Sequence, residues 1–251
     1  MPTPSAAEFA AAAHAAIDRV SREQAEGVVR AAELITSALA AEGIVQAFGT
    51  GHSEALAMEI AGRAGGLVPS NRIALRDVVL YGGRPLNALA GPELERGTDS
   101  AALLFELAAP HPADVFVIAS NSGVNGCVVE LARLAKENGH PLIAITSAEH
   151  TARVQPKHPS GLRLRDLADV ALDNGAPYGD AVLPMNGGGK ACGISSITAA
   201  LLAQQIIAEV IGQIEATGGI PPVYLSANIP GGDDHNQVLE ARYAGRIRRT
   251  A

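Results

Sequence analysis

The feature that most constrains this chain is a pattern that occurs twice: a short aliphatic run breaks into Gly, Ser and Asn, then resumes with helical spacing. Ile44-Val45-Gln46-Ala47-Phe48 leads into Gly49-Thr50-Gly51-His52-Ser53 and a helical stretch over 54–63. Val115-Phe116-Val117-Ile118 leads into Ser120-Asn121-Ser122-Gly123-Val124-Asn125 and a helical stretch over 126–138, closed by Gly139. Continuous apolar runs of this length suit strands buried on both faces, as in parallel sheets flanked by helices. Further strands are expected at 141–146 and 169–172, a weaker one within 67–73, and an edge strand over 178–183. Between them the pattern is helical. Residues 5–41 carry one apolar stripe through Ile17, Val20, Val28, Ala31, Ile35 and Leu39, and 101–108 form a helix stopped by Pro110 and Pro112. Residues 193–215 form a long helix that is apolar on more than one side. Residues 82–99 read as a long loop or broken helix, 148–165 as an exposed polar segment, and Gly187-Gly188-Gly189 as a loop. Strands alternating with helices predict one α/β domain over 1–251, with a parallel sheet covered on both faces, a helical lead (about 1–41) and a tail (about 218–251). In such sheets ligands bind beyond the carboxyl ends of the strands, where strand order reverses. Both small-residue turns fall at carboxyl ends.

A chain of 251 residues with 47% hydrophobic and 18% charged residues buries a large core, made mostly of aliphatic side chains because aromatics are 3%. Its formal charge of −7 argues against nucleic acid as a partner, which needs clustered Lys and Arg, but not against a small anion held by a few local donors. Cys127 and Cys192 lie far apart without metal-ligand spacing, and a reduced cytoplasm is the simplest location. The Ala-rich start carries Glu8, His14 and Asp18, unlike a signal peptide. No run reaches the roughly 18–20 uninterrupted apolar residues of a membrane span, so no membrane partner is expected. The leading helix and the 193–215 helix together offer more apolar surface than one sheet covers, which predicts a homodimer or homotetramer.

The chemistry gathers at the two turns. A phosphate monoester needs several short hydrogen bonds from groups that approach without steric conflict. Ser120 and Ser122 donate hydroxyls, Gly123 lets backbone come close, and the following helix start offers unpaired N–H groups and partial positive charge. The same residues also suit an ordinary helix cap. Gly49-Thr50-Gly51-His52-Ser53 repeats the logic, and two such turns at neighbouring strand ends can converge on one ligand; His52 suits either a ligand contact or turn stabilisation. Glu54 and Glu59 follow the first turn. Glu59, among Leu56, Met58 and Ile60, suits a proton-transferring base or a salt bridge with Arg63. His235, within Gly231-Gly232-Asp233-Asp234-His235-Asn236, suits acid–base work or a polar turn. Lys190 follows three glycines, but P-loop spacing is missing and Ala191 stands where Ser or Thr is needed, so no nucleotide site is expected there. The basic end, 242–249, reads as a solvated helix or subunit contact.

The stretches Phe48-Gly49-Thr50-Gly51-His52-Ser53 and Val117-Ile118-Ala119-Ser120-Asn121-Ser122-Gly123 resemble the sugar isomerase (SIS) domain family, as do 141–147 and 168–172. The resemblance covers about residues 30–215. It implies a three-layer αβα, flavodoxin-like sandwich on a five-stranded parallel sheet, binding a phosphorylated sugar through Gly49, Gly51, His52, Ser53, Ser120, Asn121, Ser122 and Asn125. Asn125 stands where the family often has Thr. Within the family the chain looks like the sedoheptulose 7-phosphate isomerases and related phosphosugar-binding SIS proteins; in those isomerases a catalytic Glu sits a turn before a Gly-Arg pair, as Glu59 does before Gly62-Arg63. Their metal-binding His is matched by Ala55, so neither metal nor organic cofactor is expected. The implied activity is aldose–ketose isomerisation of a phosphosugar by a carboxylate base, with Glu59 and His235 as candidate catalytic residues. The alternatives are a phosphosugar lyase or etherase of the N-acetylmuramic acid 6-phosphate type and a non-catalytic phosphosugar sensor.

Overall fold

The structure, a computed structural model, describes residues 4–248. Five parallel strands, β1 (Val45–Gly49), β2 (Ser70–Ile73), β3 (Val115–Ala119), β4 (Leu142–Thr146) and β5 (Val170–Asp173), pair in the order β2-β1-β3-β4-β5. Within the central strands β1, β3 and β4, alternate residues feed opposite cores. Val45, Ala47, Val115, Val117, Ile143 and Ile145 face one side, and Phe48, Phe116, Ile118, Leu142 and Ala144 the other. The first face is covered by α2 (Ala25–Ala40), α3 (Glu54–Ile60) and α10 (Ser195–Ala216), with α1 (Ala6–Glu23) reaching in through Val20. The second is covered by α6 (Asp99–Ala108), α7 (Gly126–Glu137), the short α9 (Leu164–Leu167), and single residues Val78 of α4 (Asp77–Leu80) and Leu94 of α5 (Glu93–Arg96). One-turn α8 (Ala148–Arg153) follows β4. This is the three-layer αβα sandwich on five parallel strands. α10 is the one described helix with the length and apolarity of a membrane span, and it buries Thr198, Ala199, Leu202, Ala203, Ile206, Ile207 and Val210 inside the domain.

Four sequence expectations are corrected. The edge strand over 178–183 does not join the main sheet. Ala181–Pro184 (β6) instead pairs antiparallel with Lys190–Gly193 (β7), and the glycine run 187–189 closes the hairpin, with Gly188 and Gly189 at positive φ. Leu67-Val68-Pro69 is not strand but approach to β2, with Leu67 in a single bridge to Val223. The helix after the first turn stops at Ile60 because Gly62 takes φ +80. The segment 148–165 is not uniformly exposed: Thr151, His158 and Leu164 are buried.

The tail is corrected too. Residues 242–248 are not a solvated helix but pack back on the domain, and Arg249 lies outside the described residues. Arg246 reaches the fully buried Asp114, which also accepts from Ile44 N at 2.9 Å, Gln46 Nε2 at 2.9 Å and His111 N at 3.0 Å. Arg248 lies 4.6 Å from the Tyr81 ring centre, and its backbone N–H reaches Asn71 Oδ1. Residues 231–236 form the start of helix α11 (Gly232–Glu240). Its buried Asn236 holds both the N–H and the carbonyl of Leu225, at 2.9 Å each. These contacts lie at the amino end of the sheet, where the chain enters β1, β2 and β3.

One ion pair on the second face makes a pH prediction. Glu130 on α7 accepts from Arg133 at 2.7 and 2.9 Å and lies 2.8 Å from His158 Nε2. The Arg133 hydrogen bonds, then that of His158, outweigh burial and hold its carboxyl down at about 2, against an ordinary 4.5. A depressed folded-state pKa stabilises above the unfolded value, and that contribution is lost as pH falls from about 4.5 to about 2. The Glu130→Gln variant should therefore show a flatter fall in melting temperature across that window than the wild type. Superimposable acid limbs would mean that the pairing contributes nothing to acid stability.

Candidate functional site

Strand order reverses between β1 and β3, and register sets Gly49 directly beside Ala119. The two turns therefore stand next to each other at the carboxyl ends, at the position where doubly wound sheets take their ligands. The first turn is tight: a Cβ on Gly49 would stand 2.2 Å from the Ser53 carbonyl oxygen. In the second, Gly123 takes φ +65, and a side chain there would press on Thr146 Oγ1 at 3.1 Å. Ser120 Oγ accepts from Gly123 N at 3.1 Å and closes the turn. Residues from the end of β4, from α8 and from the turn after β5 then clamp it. Thr151 Oγ1 donates to Ser122 O (2.9 Å), Thr146 Oγ1 to Asn121 O (3.3 Å), and Asn174 Nδ2 to Asn121 Oδ1 (3.0 Å). A turn held from three sides presents its remaining donors without reorganising.

A cleft of about 350 Å³ opens over both turns. Gly51, His52, Ser53, Ser120, Asn121, Ser122 and Asn125, all expected from sequence, line it together with Thr50, Glu95, His150, Asp180 and Ser195. A smaller cavity of about 100 Å³ adjoins it, sharing His52, Ser53, Asn121 and Ser195 and running down to Ala55, Glu59 and Asn174. Gly49 shapes the turn without lining either. Glu59 is partly covered, and its Oε1 receives both Arg63 and Gln204 Nε2, the latter at 2.7 Å. Glu54 is paired instead with Arg76 at 3.1 Å. His235 lines neither cavity. Its Nε2 meets the Val223 carbonyl at 3.0 Å, beside the chain entering β2 and thus at the opposite end of the sheet.

Of the helix starts at the cleft, those of α7 and α10 differ in how their N–H groups are met. The first N–H groups of α10 are already satisfied by Asp180, which accepts from Ile194 N (3.1 Å), Ser195 N (2.8 Å) and Ser195 Oγ (2.8 Å) while held at φ +68. The start of α7 has no side-chain cap. Its unpaired N–H groups and the positive end of its dipole remain available to an anion. Lys157 Nζ stands nearby on Asn125 Oδ1 at 3.1 Å. Cys127, under the same helix start, is no nucleophile: burial, then the charges of Glu95 and Glu130, push its thiol up to about 12.

Sequence reading did not single out Glu95, His150, Asn174, Asp180 or Ser195. Asn174 was within reach of the same logic, since Asp173-Asn174-Gly175 is a small polar turn after a strand. Glu95 carried no local signal.

A sequence profile described as the SIS domain matches residues 8–147. The chain belongs to the SIS domain family. Among curated relatives, a UPF0309 protein from Listeria monocytogenes serovar 1/2a is 40% identical over 92% of this chain and 93% of its own. A UPF0309 protein from Brucella anthropi is 39% identical over 88% and 89%. Among solved structures, phosphoheptose isomerase GmhA from Neisseria gonorrhoeae shares the fold at a TM-score of 0.54 and 21% identity, covering 82% of this chain and 96% of that one. A phosphoheptose isomerase from Francisella tularensis does so at 0.55 and 16%, covering 82% and 98%. The SIS fold explains why the turns after β1 and β3 meet. Among the described residues, no three His, Cys, Asp or Glu side chains gather to hold an ion.

Proposed function

We propose that this SIS protein is a cytoplasmic phosphosugar isomerase. The phosphate lies on the 120–126 turn, Ser120 and Ser122 donating to it, and the sugar extends past His52 toward Glu59. The observation that carries the reading is the start of α7, without a side-chain cap, at the edge of a cleft lined with hydroxyls. The isomerisation needs no oxidant. Glu59 takes the proton from the carbon next to the carbonyl, leaving an enediolate, and returns it to the former carbonyl carbon while a proton passes between the two oxygens. Nothing in this scheme uses a metal. His235 has no part in it, being engaged at the other end of the sheet.

The decisive experiment incubates the protein with a panel of aldose and ketose phosphates and follows products by chromatography and mass. Conversion to an isomer supports the proposal. Release of a carboxylic acid indicates a lyase or etherase, and thermal stabilisation without turnover indicates a sensor.

The reading extends to assembly. Val29, Met58 and Ile197, on the helices of the first face, remain exposed at 38%, 52% and 37%. A homodimer or homotetramer covering them is expected in sedimentation at micromolar concentration, and a monomer there would count against it.

A further inference from the structure

We propose that Glu95 sets the specificity of the cleft: its carboxylate selects a phosphate ester carrying hydroxyl groups next to the phosphate and rejects one carrying a carboxylate there. This rests on the phosphosugar reading of the same cleft. Glu95 joins the two turns. Its Oε1 receives Thr50 Oγ1 from the first at 3.1 Å and Asn125 Nδ2 from the second at 2.5 Å. Its other oxygen lies toward Gly51, where even an added methyl would stand 4.0 Å away. The backbone behind it is fixed. Gly126 has no side chain, and a Cβ there would stand 2.3 Å from the Arg96 carbonyl, so α5 is seated directly on the start of α7.

An ionised carboxylate only accepts hydrogen bonds. Both residues bonded to Glu95 are neutral, and Lys157 reaches the far side of Asn125 rather than Glu95 itself. The cleft thus carries an anion of its own within reach of the anion site. A bound phosphate has to settle on the Ser122 side, away from Glu95. What lies between the two is favoured when it donates, as a sugar hydroxyl does, and disfavoured when it is a second anion. Inorganic phosphate has no sugar hydroxyls and serves as the control for the anion site alone.

The test is calorimetric titration of wild type, Glu95→Gln and Glu95→Asp with glucose 6-phosphate, sedoheptulose 7-phosphate, inorganic phosphate and 3-phosphoglycerate. In Glu95→Gln, the better-bound sugar phosphate should weaken about tenfold or more, 3-phosphoglycerate should tighten by a similar factor, and inorganic phosphate should hold or tighten. Glu95→Asp withdraws the charge by one methylene. It should weaken the sugar phosphate alone and still reject 3-phosphoglycerate, so the question stays decidable if the Gln variant does not fold. Equal changes for all four probes, or none, would make Glu95 a structural brace and overturn this assignment while leaving the phosphosugar reading intact. A wild type that binds neither sugar phosphate would overturn both.

Discussion

Replacing Glu59 with Gln should lower isomerase turnover by about 10²–10⁴-fold, the range set by removing a general acid–base group, while sugar-phosphate affinity stays within a few-fold of wild type. Glu59 lies near the end of α3, whose side chains lean back toward the helix start and hence toward the strand ends. Arg63 and Gln204 both hold Oε1, so Oε2 is the oxygen Glu59 can present to the small cavity. The Gln side chain keeps the size and can still accept from those donors through its amide oxygen, but it cannot receive a proton at neutral pH. The split between kcat and affinity is therefore the readout. A loss in both would point to a collapsed pocket, and normal turnover would reduce Glu59 to the structural partner of Arg63.

The fold was legible because its signals are local and repeated. The central strands β1, β3 and β4 announce themselves as aliphatic runs, since a parallel strand with helices on both faces has no polar side to show, whereas β2, Ser70-Asn71-Arg72-Ile73, buries polar side chains and carries no such signal. The hairpin was not legible. The Ala181–Pro184 run is only partly buried, and Gly187-Gly188-Gly189 looks the same closing two strands as it does in an open loop. His235 shows where a local signal is ambiguous: Asp, Asp and His close in sequence suit chemistry or a polar turn, and here helix α11 turns Asn236 inward to hold Leu225 and leaves the His235 ring on Val223. Glu95 was invisible for a third reason. Its place depends on Gly126 letting the Arg96 carbonyl approach, a contact between residues 30 apart that neither composition nor periodicity records.

Replacing both Ser120 and Ser122 with Ala should weaken sugar-phosphate binding by about a hundredfold or more, since hydrogen bonds to a charged group contribute about 1.5–3 kcal/mol each. The two serines should not behave alike when changed singly. Ser122 is partly exposed in the cleft, and its carbonyl, not its hydroxyl, is held by Thr151. Ser122→Ala should therefore reduce affinity with little change in melting temperature. Ser120 is buried, and its Oγ accepts from Gly123 N. Ser120→Ala removes a donor to the phosphate and a bond that shapes the turn, so it should lower both affinity and melting temperature, the latter by the equivalent of roughly 1 kcal/mol. Residual binding in the double variant should come from the α7 start, whose N–H groups are backbone and survive both substitutions. That residue of affinity should fall as salt rises, because added ions screen the attraction between the phosphate and the helix end. Unchanged affinity in the double variant would place the phosphate elsewhere and remove the basis for reading this turn as the anion site.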